Sequence, residues 1–454
     1  MRFFLFLLAN AMLFIRPSEF IAELNAVELY RYIIAICLLV SFPLVLRQFT
    51  TRYPGVPPIA GIVLAMFPAV ILSGMMHGDS MLMIDTTIEF FKIVVYFLLL
   101  LCMVDSVERL RRFLYWIGIF SAAVTMIAVL RYHVDIELPT APKKQYDPAN
   151  KSVADRGTYV VDQVRDPMTG ELVDVKRMCG TGIFNDPNDL ALVLVTAIPM
   201  CLYWLTDPKR KTMKPFWIAL LFLFGYALML THSRGGFLAL LAGIGALLHM
   251  RFGGKRTLVL AAVCLPLMFV VFAGRMTSIS SGDGTGQSRI QLWAEGLQFF
   301  QQSPLFGIGA DNYRTMSRHV AHNSFIHSYA ELGLFGGTLF IAAFYFAFRG
   351  LHLSKQMQDN KTESAETDLE LRRLLPYLTA VIVAYTVGIA FLSRCYIVPT
   401  YMILGLATVY LRLHATQQEI KLPSWSGFLL PRLAGLSICF LVGAHVFIRM
   451  FVVW

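Results

Sequence analysis

Thr86–Val104, TTIEFFKIVVYFLLLLCMV, decides the fold. It is close to the roughly 20 residues that a helix needs to cross a bilayer. Only Glu89 and Lys92 interrupt it, and three residues apart on one helix they neutralise each other. Arg109, Arg111 and Arg112 follow shortly after. An apolar run of bilayer length that ends in a cluster of cations reads as a span finishing on the cytoplasmic side.

Working outward, comparable runs lie near 3–16, 28–46, 57–74, 113–131, 188–205, 216–231, 235–250, 257–274, 332–350, 375–392, 397–413 and 432–451. Composition agrees, with 57% hydrophobic and 15% charged residues in a chain of 454. A soluble domain carries about 25% charged residues to cover its surface, so a soluble enzyme is excluded. The 35 Phe and 18 Tyr exclude disorder. The expectation is an all-α, polytopic transmembrane helix bundle of about 12–13 spans. Ala9-Asn10-Ala11 faintly resembles a signal-peptidase site, but the apolar region ending there is too short, so the first run reads as a retained helix.

The net charge of +10, from 39 Lys and Arg against 29 Asp and Glu, is mainly topological. Arg47 and Arg52, then Lys209 to Lys214, then Arg251 to Arg256, and Arg412, Lys421 and Arg432 recur after alternate runs. By the positive-inside rule these loops face the cytoplasm, and no nucleic-acid partner is needed to explain them. The chain then divides into N-terminal spans (1–131), an outer loop (132–187), central spans (188–274), a second outer loop (275–331) and C-terminal spans (332–454) holding a cytoplasmic loop at 351–374. In the first outer loop, alternating runs flank Asp166-Pro-Met-Thr-Gly170 and read as a two-stranded ribbon. In the second, Ile290, Trp293, Leu297 and Phe300 recur at helical spacing from Arg289 to Gln302. Ser303-Pro304 ends this amphipathic helix. The seven Cys form no C-x-x-C pair and read as small core residues.

The informative charges are those on the outer side, where cations are disfavoured. Arg234 sits in Thr231-His-Ser-Arg-Gly-Gly236, a short turn between two apolar runs. There it either snorkels to the interface or holds an anion, and the paired glycines favour close approach of a ligand. Arg289 opens the amphipathic helix, where a cation opposes the macrodipole, and shares a face with Trp293. The planar guanidinium fork suits phosphate oxygens. Two outward arginines therefore suggest a phosphate or pyrophosphate ligand.

His319, His322 and His327 follow. Their spacing does not match a zinc motif, although Asp311 or Glu331 stands near enough to complete a set, and no metal site is expected. A neutral imidazole beside cations is a credible general base. His322 is the candidate, His319 reads as a loop residue, and His327 as a core histidine further along the same helix. Asp186-Pro187-Asn188-Asp189 is an N-cap with Pro at the first helical position, with Asn188 facing the site in the functional reading. Gly307-Ile-Gly309 reads as a turn, and Ser-Arg at 233–234, 288–289 and 393–394 reads as coincidence.

Four motifs in order resemble the O-antigen ligase and O-antigen polymerase superfamily. They are Gly182-x-Phe184-x-Asp186-Pro187-Asn188, then Ser233-Arg234-Gly235-Gly236, then Ser288-Arg289-x-x-x-Trp293, then His322-Asn323 with Gly333 and Gly336. The last is similar to the ligase pattern His-Asn/Ser/Gln-x9-Gly-x-x-Gly/Thr/Tyr. The resemblance implies a metal-independent, inverting glycosyltransferase in the bacterial inner (cytoplasmic) membrane, its site facing the periplasm and needing no cofactor. Its donor would be a glycan on undecaprenyl pyrophosphate, and its acceptor a hydroxyl of a glycan chain, lipid A core or protein. Arg234 and Arg289 would bind the pyrophosphate and His322 would deprotonate the acceptor, with Asn323, Trp293, Asn188, Gly333 and Gly336 in support. The outer loop at 132–187 is longer than a plain ligase requires. A transporter or flippase of polyprenyl-linked or anionic substrates is the alternative, and it would show inverted repeats and helices broken near the midplane.

Overall fold

The computed structural model describes residues 1–19, 21–24, 29–50, 57–76, 80–134, 159–165, 172–276, 285–359, 366–418 and 429–452. Fourteen α-helices occur among them: α1 (Arg2–Ile15), α2 (Leu29–Thr50), α3 (Ile59–Met75), α4 (Ser80–Met103), α5 (Val107–Val134), α6 (Pro187–Leu205), α7 (Lys214–Thr231), α8 (Arg234–Met276), α9 (Thr285–Gln302), α10 (Tyr313–Ser317), α11 (Ser324–Asp359), α12 (Glu366–Ile389), α13 (Val398–Gln418) and α14 (Leu429–Phe451). Every apolar run read from the sequence falls on a helix. Nine helices among the described residues are long and apolar enough to cross a bilayer. At 14 and 17 residues, α1 and α3 are shorter than the usual span. The chain is an all-α, multi-pass membrane protein. Between α5 and α6, β1 (Tyr159–Arg165) and β2 (Leu172–Met178) pair antiparallel, Tyr159 opposite Met178. Residues 166–171, where the turn motif falls, lie outside the described residues.

Two long helices are broken by glycines at positive φ. In α8 the break is Gly253 (φ 77°), between Arg251 and Lys255, so the eighth and ninth apolar runs are its two halves. In α11 it is Gly333 (φ 63°, ψ −159°), a region only glycine enters cheaply, and this separates a nine-residue lead helix from the span behind it.

The chain forms two compact units. The first comprises Met1–Val40, Glu108–Asp283 and Arg373–Gly388. Its helices approach through small residues, as membrane helices do where lipid supplies no hydrophobic drive. A Cβ on Gly236 would stand 2.6 Å from the Ala191 Cβ, and one on Gly243 would stand 2.9 Å from that of Ala384. Aromatic contacts fill the remainder, with Phe6 stacked on Phe113 (5.7 Å) and Trp204 on Trp217 (5.9 Å). Before α7, buried Asp207 accepts from Arg111 (2.6 Å) and pairs with Arg373 (3.5 Å). Lys209 to Lys214 lead into this helix and Arg234 follows its far end, about 27 Å away for 18 residues.

The second unit comprises Ser41–Val107, Gly284–Arg372 and Ile389–Trp454. Here Phe90 packs edge-on against Tyr401 (5.5 Å), and Gly350 and Gly405 admit Leu411 and Leu100. Buried Arg412 donates to the carbonyls of Leu101 (2.6 Å) and Val104 (3.3 Å), closing the end of α4. A cation is favourable at a helix C-terminus, which also satisfies carbonyls that the helix leaves open. Most described cysteines are buried, but Cys439 is exposed on α14 rather than in the core.

Candidate functional site

His322 lies on a turn in the second unit. It adopts left-handed backbone (φ 49°), uncommon for a residue with a side chain, and is partly exposed. Asn323 follows as the N-cap of α11: its buried Oδ1 accepts from the N–H groups of Phe325 (3.0 Å) and Ile326 (3.2 Å). The His-Asn pair thus has a local physical basis, since the cap fixes where the helix begins and so holds the histidine just ahead of it.

The amphipathic helix α9 is tied to the same turn. The Trp293 indole N–H donates to the carbonyl of Ala321, the residue before His322, at 2.9 Å. Arg289 lies one turn before Trp293 on the same face and is partly exposed. The structure starts α9 at Thr285 rather than at Arg289. Arg289 therefore sits in the second turn, where the macrodipole no longer argues against it.

Gly333 and Gly336 serve the break in α11. The strap Pro304–Gly309 runs against the broken backbone: Ile308 N–H donates to Ala330 O (2.9 Å), Gly309 N–H to Glu331 O (3.1 Å), and Leu334 N–H to Pro304 O (2.7 Å). A Cβ on Gly333 would lie 2.5 Å from the Gly307 nitrogen, and one on Gly336 2.3 Å from the Leu332 Cβ. Gly307 and Gly309 both take positive φ (71° and 96°), so this pair is a backbone-pairing strap and more than a simple turn.

Beneath the turn, His327 is buried. Its Nε2 faces Glu331 Oε1 at 3.0 Å and its Nδ1 faces Ser393 Oγ at 2.9 Å, with Tyr313 stacked on the ring at 5.2 Å. The same Glu331 oxygen accepts the Tyr313 N–H (3.0 Å). Burial, and then the Glu331 charge, push the Asp311 carboxyl up; burial likewise raises Tyr313. His327 therefore supports the turn from below, whereas His319 is exposed on its loop.

Arg234 and Asn188 belong to the first unit. Arg234 is exposed and is the first residue of α8. Ser233 caps that helix, its Oγ accepting from Gly236 N–H (3.1 Å), and His232 before it is left-handed (φ 51°). Here, rather than at Arg289, a cation stands against the macrodipole. Asn188 is the hub behind the turn. Its Oδ1 accepts from Ser233 Oγ (2.8 Å) and from Arg177 Nη2 (3.0 Å), while Arg177 Nε donates to Thr231 O (3.0 Å). Asp186 caps α6 as the sequence indicates, accepting from Asn188 N–H (2.8 Å). Arg177 carries no local sequence signal: its meaning lies in contacts to residues 11 and 54 positions away.

The fold is that of a multi-pass membrane protein, with Arg234 opening an apolar helix in the first unit and, in the second, Arg289 within α9 and His322 on the turn before α11. Residues 219–341 match the family described as O-Antigen ligase. The matched segment holds Arg234, Arg289, Trp293, His322, Asn323, Gly333 and Gly336, and over these residues the chain is similar to the O-antigen ligase family. A search of curated proteins gives no match.

Proposed function

We propose that this protein transfers a glycan from undecaprenyl pyrophosphate to an acceptor hydroxyl at the periplasmic face of the bacterial inner membrane. The observation that carries the reading is the His322 turn, which holds a partly exposed imidazole ahead of a capped helix and is pinned to the Arg289 helix through Trp293. The imidazole takes the proton of the acceptor hydroxyl as its oxygen attacks the anomeric carbon from the face opposite the leaving group. The carbon–oxygen bond to pyrophosphate breaks, and Arg289 and Arg234 take up the charge that develops on the phosphate oxygens. A general base supplies roughly 10²–10⁴-fold, and each donor to the developing charge about 3 kcal/mol. The leaving group is already activated, so neither metal nor cofactor is required.

The orientation rests on α7, with Lys209 to Lys214 leading into one end and Arg234 beyond the other. The breaks in α8 and α11 favour this reading over a transporter. Gly253 lies among Arg251, Lys255 and Arg256, between two apolar runs, and Gly333 stands ahead of most of the apolar length of α11, paired with the strap Pro304–Gly309, so neither break divides a single apolar run at its middle.

The test is release of undecaprenyl pyrophosphate by the purified chain from a lipid-linked glycan, in chelator, with glycan, lipid A core or protein acceptors supplied separately. Release that depends on one acceptor supports the reading and names the acceptor. Release that requires added divalent metal would overturn the metal-independent mechanism.

A further inference from the structure

The last turn of α5 carries Arg131, in the first unit and outside the residues that match the O-antigen ligase family. The residue is only 5% exposed. Among the described residues, neither its Nε nor its Nη2 has a hydrogen-bond partner. Its electrostatic neighbours are Glu19 and Cys179. Burial pushes the Cys179 thiol up to about 12, so it stays neutral and offers no countercharge. Glu19 is already engaged, pairing with Arg16 (3.4 Å) and accepting the Gly182 N–H (3.0 Å). Thr181, beside Gly182, is buried too, and its Oγ1 likewise has no partner among the described residues.

A purely structural account of this cation is incomplete. Arg109, near the start of α5, belongs to the cytoplasmic cluster, and Arg131 stands about 33 Å further along the helix. In the reading above that end lies on the outer side, where Lys and Arg are disfavoured. A helix C-terminus does favour a cation, but that gain is small beside the cost of sealing an unpaired charge from water. Buried polar atoms nearly always have partners, and an ionisable group within a span marks a functional site by default. The end of α5 also belongs to the framework of the Arg234 turn. Tyr132 O–H donates to Lys176 O (3.4 Å), and the next residue of β2, Arg177, donates to Asn188 and Thr231 behind that turn. His133 Nε2 meets the Tyr226 hydroxyl (2.8 Å) on α7, the helix that ends at Thr231.

We propose that Arg131 is a further phosphate-binding residue of the first unit, taking a non-bridging oxygen of the donor's pyrophosphate together with Arg234. The assignment rests on the reading of this chain as a pyrophosphate-donor transferase. Without ligand, Nε and Nη2 are sealed from solvent, so the phosphate meets them only after the side chain turns outward. Val134 ends the helix three residues on, and a long arginine stem near a helix end can carry its head to the interface. No hydrogen bond of Nε or Nη2 has to break for that turn. The planar fork then finds in a phosphate the partners that the fold withholds.

The experiment uses the full chain in detergent, with inorganic pyrophosphate as the titrated probe, thermal unfolding with and without it, and steady-state kinetics on the lipid-linked donor. Arg131→Met keeps much of the side chain's bulk without its charge. In the absence of pyrophosphate it is expected to unfold no lower than the parent, because an unpaired buried charge has been removed. It should bind pyrophosphate about tenfold more weakly, the loss of one charge-assisted hydrogen bond, and gain less in midpoint from it. The donor KM should rise in step, and Arg131→Lys should recover part of the loss. A lower midpoint without ligand would make Arg131 a structural cation and overturn the assignment, whatever becomes of binding. Parent-like pyrophosphate binding by Arg131→Met while Arg234→Ala binds weakly would overturn this assignment alone. Parent-like binding in both variants would sink the pyrophosphate reading of the first unit, and this assignment with it. Phosphatidylglycerol vesicles that stabilise the parent but not Arg131→Met, with pyrophosphate binding equal in the two, would name a lipid headgroup instead and overturn it as well.

Discussion

The Arg234 turn of the first unit and the His322 turn of the second share one local design. Each sets a left-handed histidine, His232 or His322, before a capping residue, Ser233 or Asn323, and each then enters an apolar helix. They differ in where the functional side chain sits and in what holds the turn. Arg234 comes after its cap, as the first residue of the helix, whereas His322 comes before its cap. The first turn is held by polar side chains from elsewhere, Arg177 on β2 and Asn188 on α6. The second is held by backbone pairing around a broken helix and by the buried His327–Glu331 pair. In the proposed mechanism, a cation that meets a lipid-linked phosphate tolerates an adjustable mount. A base that must point at one oxygen needs a rigid one, since misplacement by about an ångström costs orders of magnitude in rate.

The comparison breaks most visibly at Gly333. Gly333→Ala forces a Cβ to 2.5 Å from the Gly307 nitrogen at a backbone geometry that alanine avoids. A loss of about 3 kcal/mol or more is expected, read as collapse of folded yield or of the unfolding midpoint. The polar mount of the first turn should fail more gently. Arg177→Ala and Asn188→Ala are each expected to raise the donor KM roughly tenfold, one or two hydrogen bonds' worth, with kcat less affected and the midpoint little changed. An equal fall in kcat with unchanged KM would mean that this network does not serve donor binding. Asn323→Ala removes a cap and should cost about 1 kcal/mol, while Asn323→Asp, which still caps, should restore stability.

The smallest effect concerns pH. Burial and Glu331 hold the Asp311 carboxyl above its ordinary range, so its protonated form is favoured in the folded state. That contribution is complete below the ordinary carboxylate range and is lost as pH rises through the raised value. Asp311→Asn should therefore raise the unfolding midpoint at neutral pH, and the gain should vanish in acid. A gain that persists unchanged in acid would contradict the charge explanation.

Much of this architecture was legible because it is local or periodic. Span after span is written in apolar runs of bilayer length, and the His-Asn and Asp-Pro-Asn caps carry their chemistry in adjacent residues. What escaped depends on distant contacts. Arg177 has meaning only through Thr231 and Asn188. Gly307 and Gly309 read as a turn because their partner, the break at Gly333, is invisible until the backbone is folded. The true start of α9 is hidden in the sequence because Thr285-Gly-Gln-Ser288 lacks the apolar periodicity that marks the rest of that helix.

The central claim is a division of labour in which the arginines hold the donor and His322 works on the acceptor. Single-turnover transfer measured beside pyrophosphate binding tests it most directly. His322→Ala should bind pyrophosphate like the parent and transfer glycan roughly 10²–10⁴-fold more slowly, while Arg289→Ala should lose binding and transfer together. Full transfer by His322→Ala, or its loss of pyrophosphate binding alongside Arg289→Ala, would contradict the account.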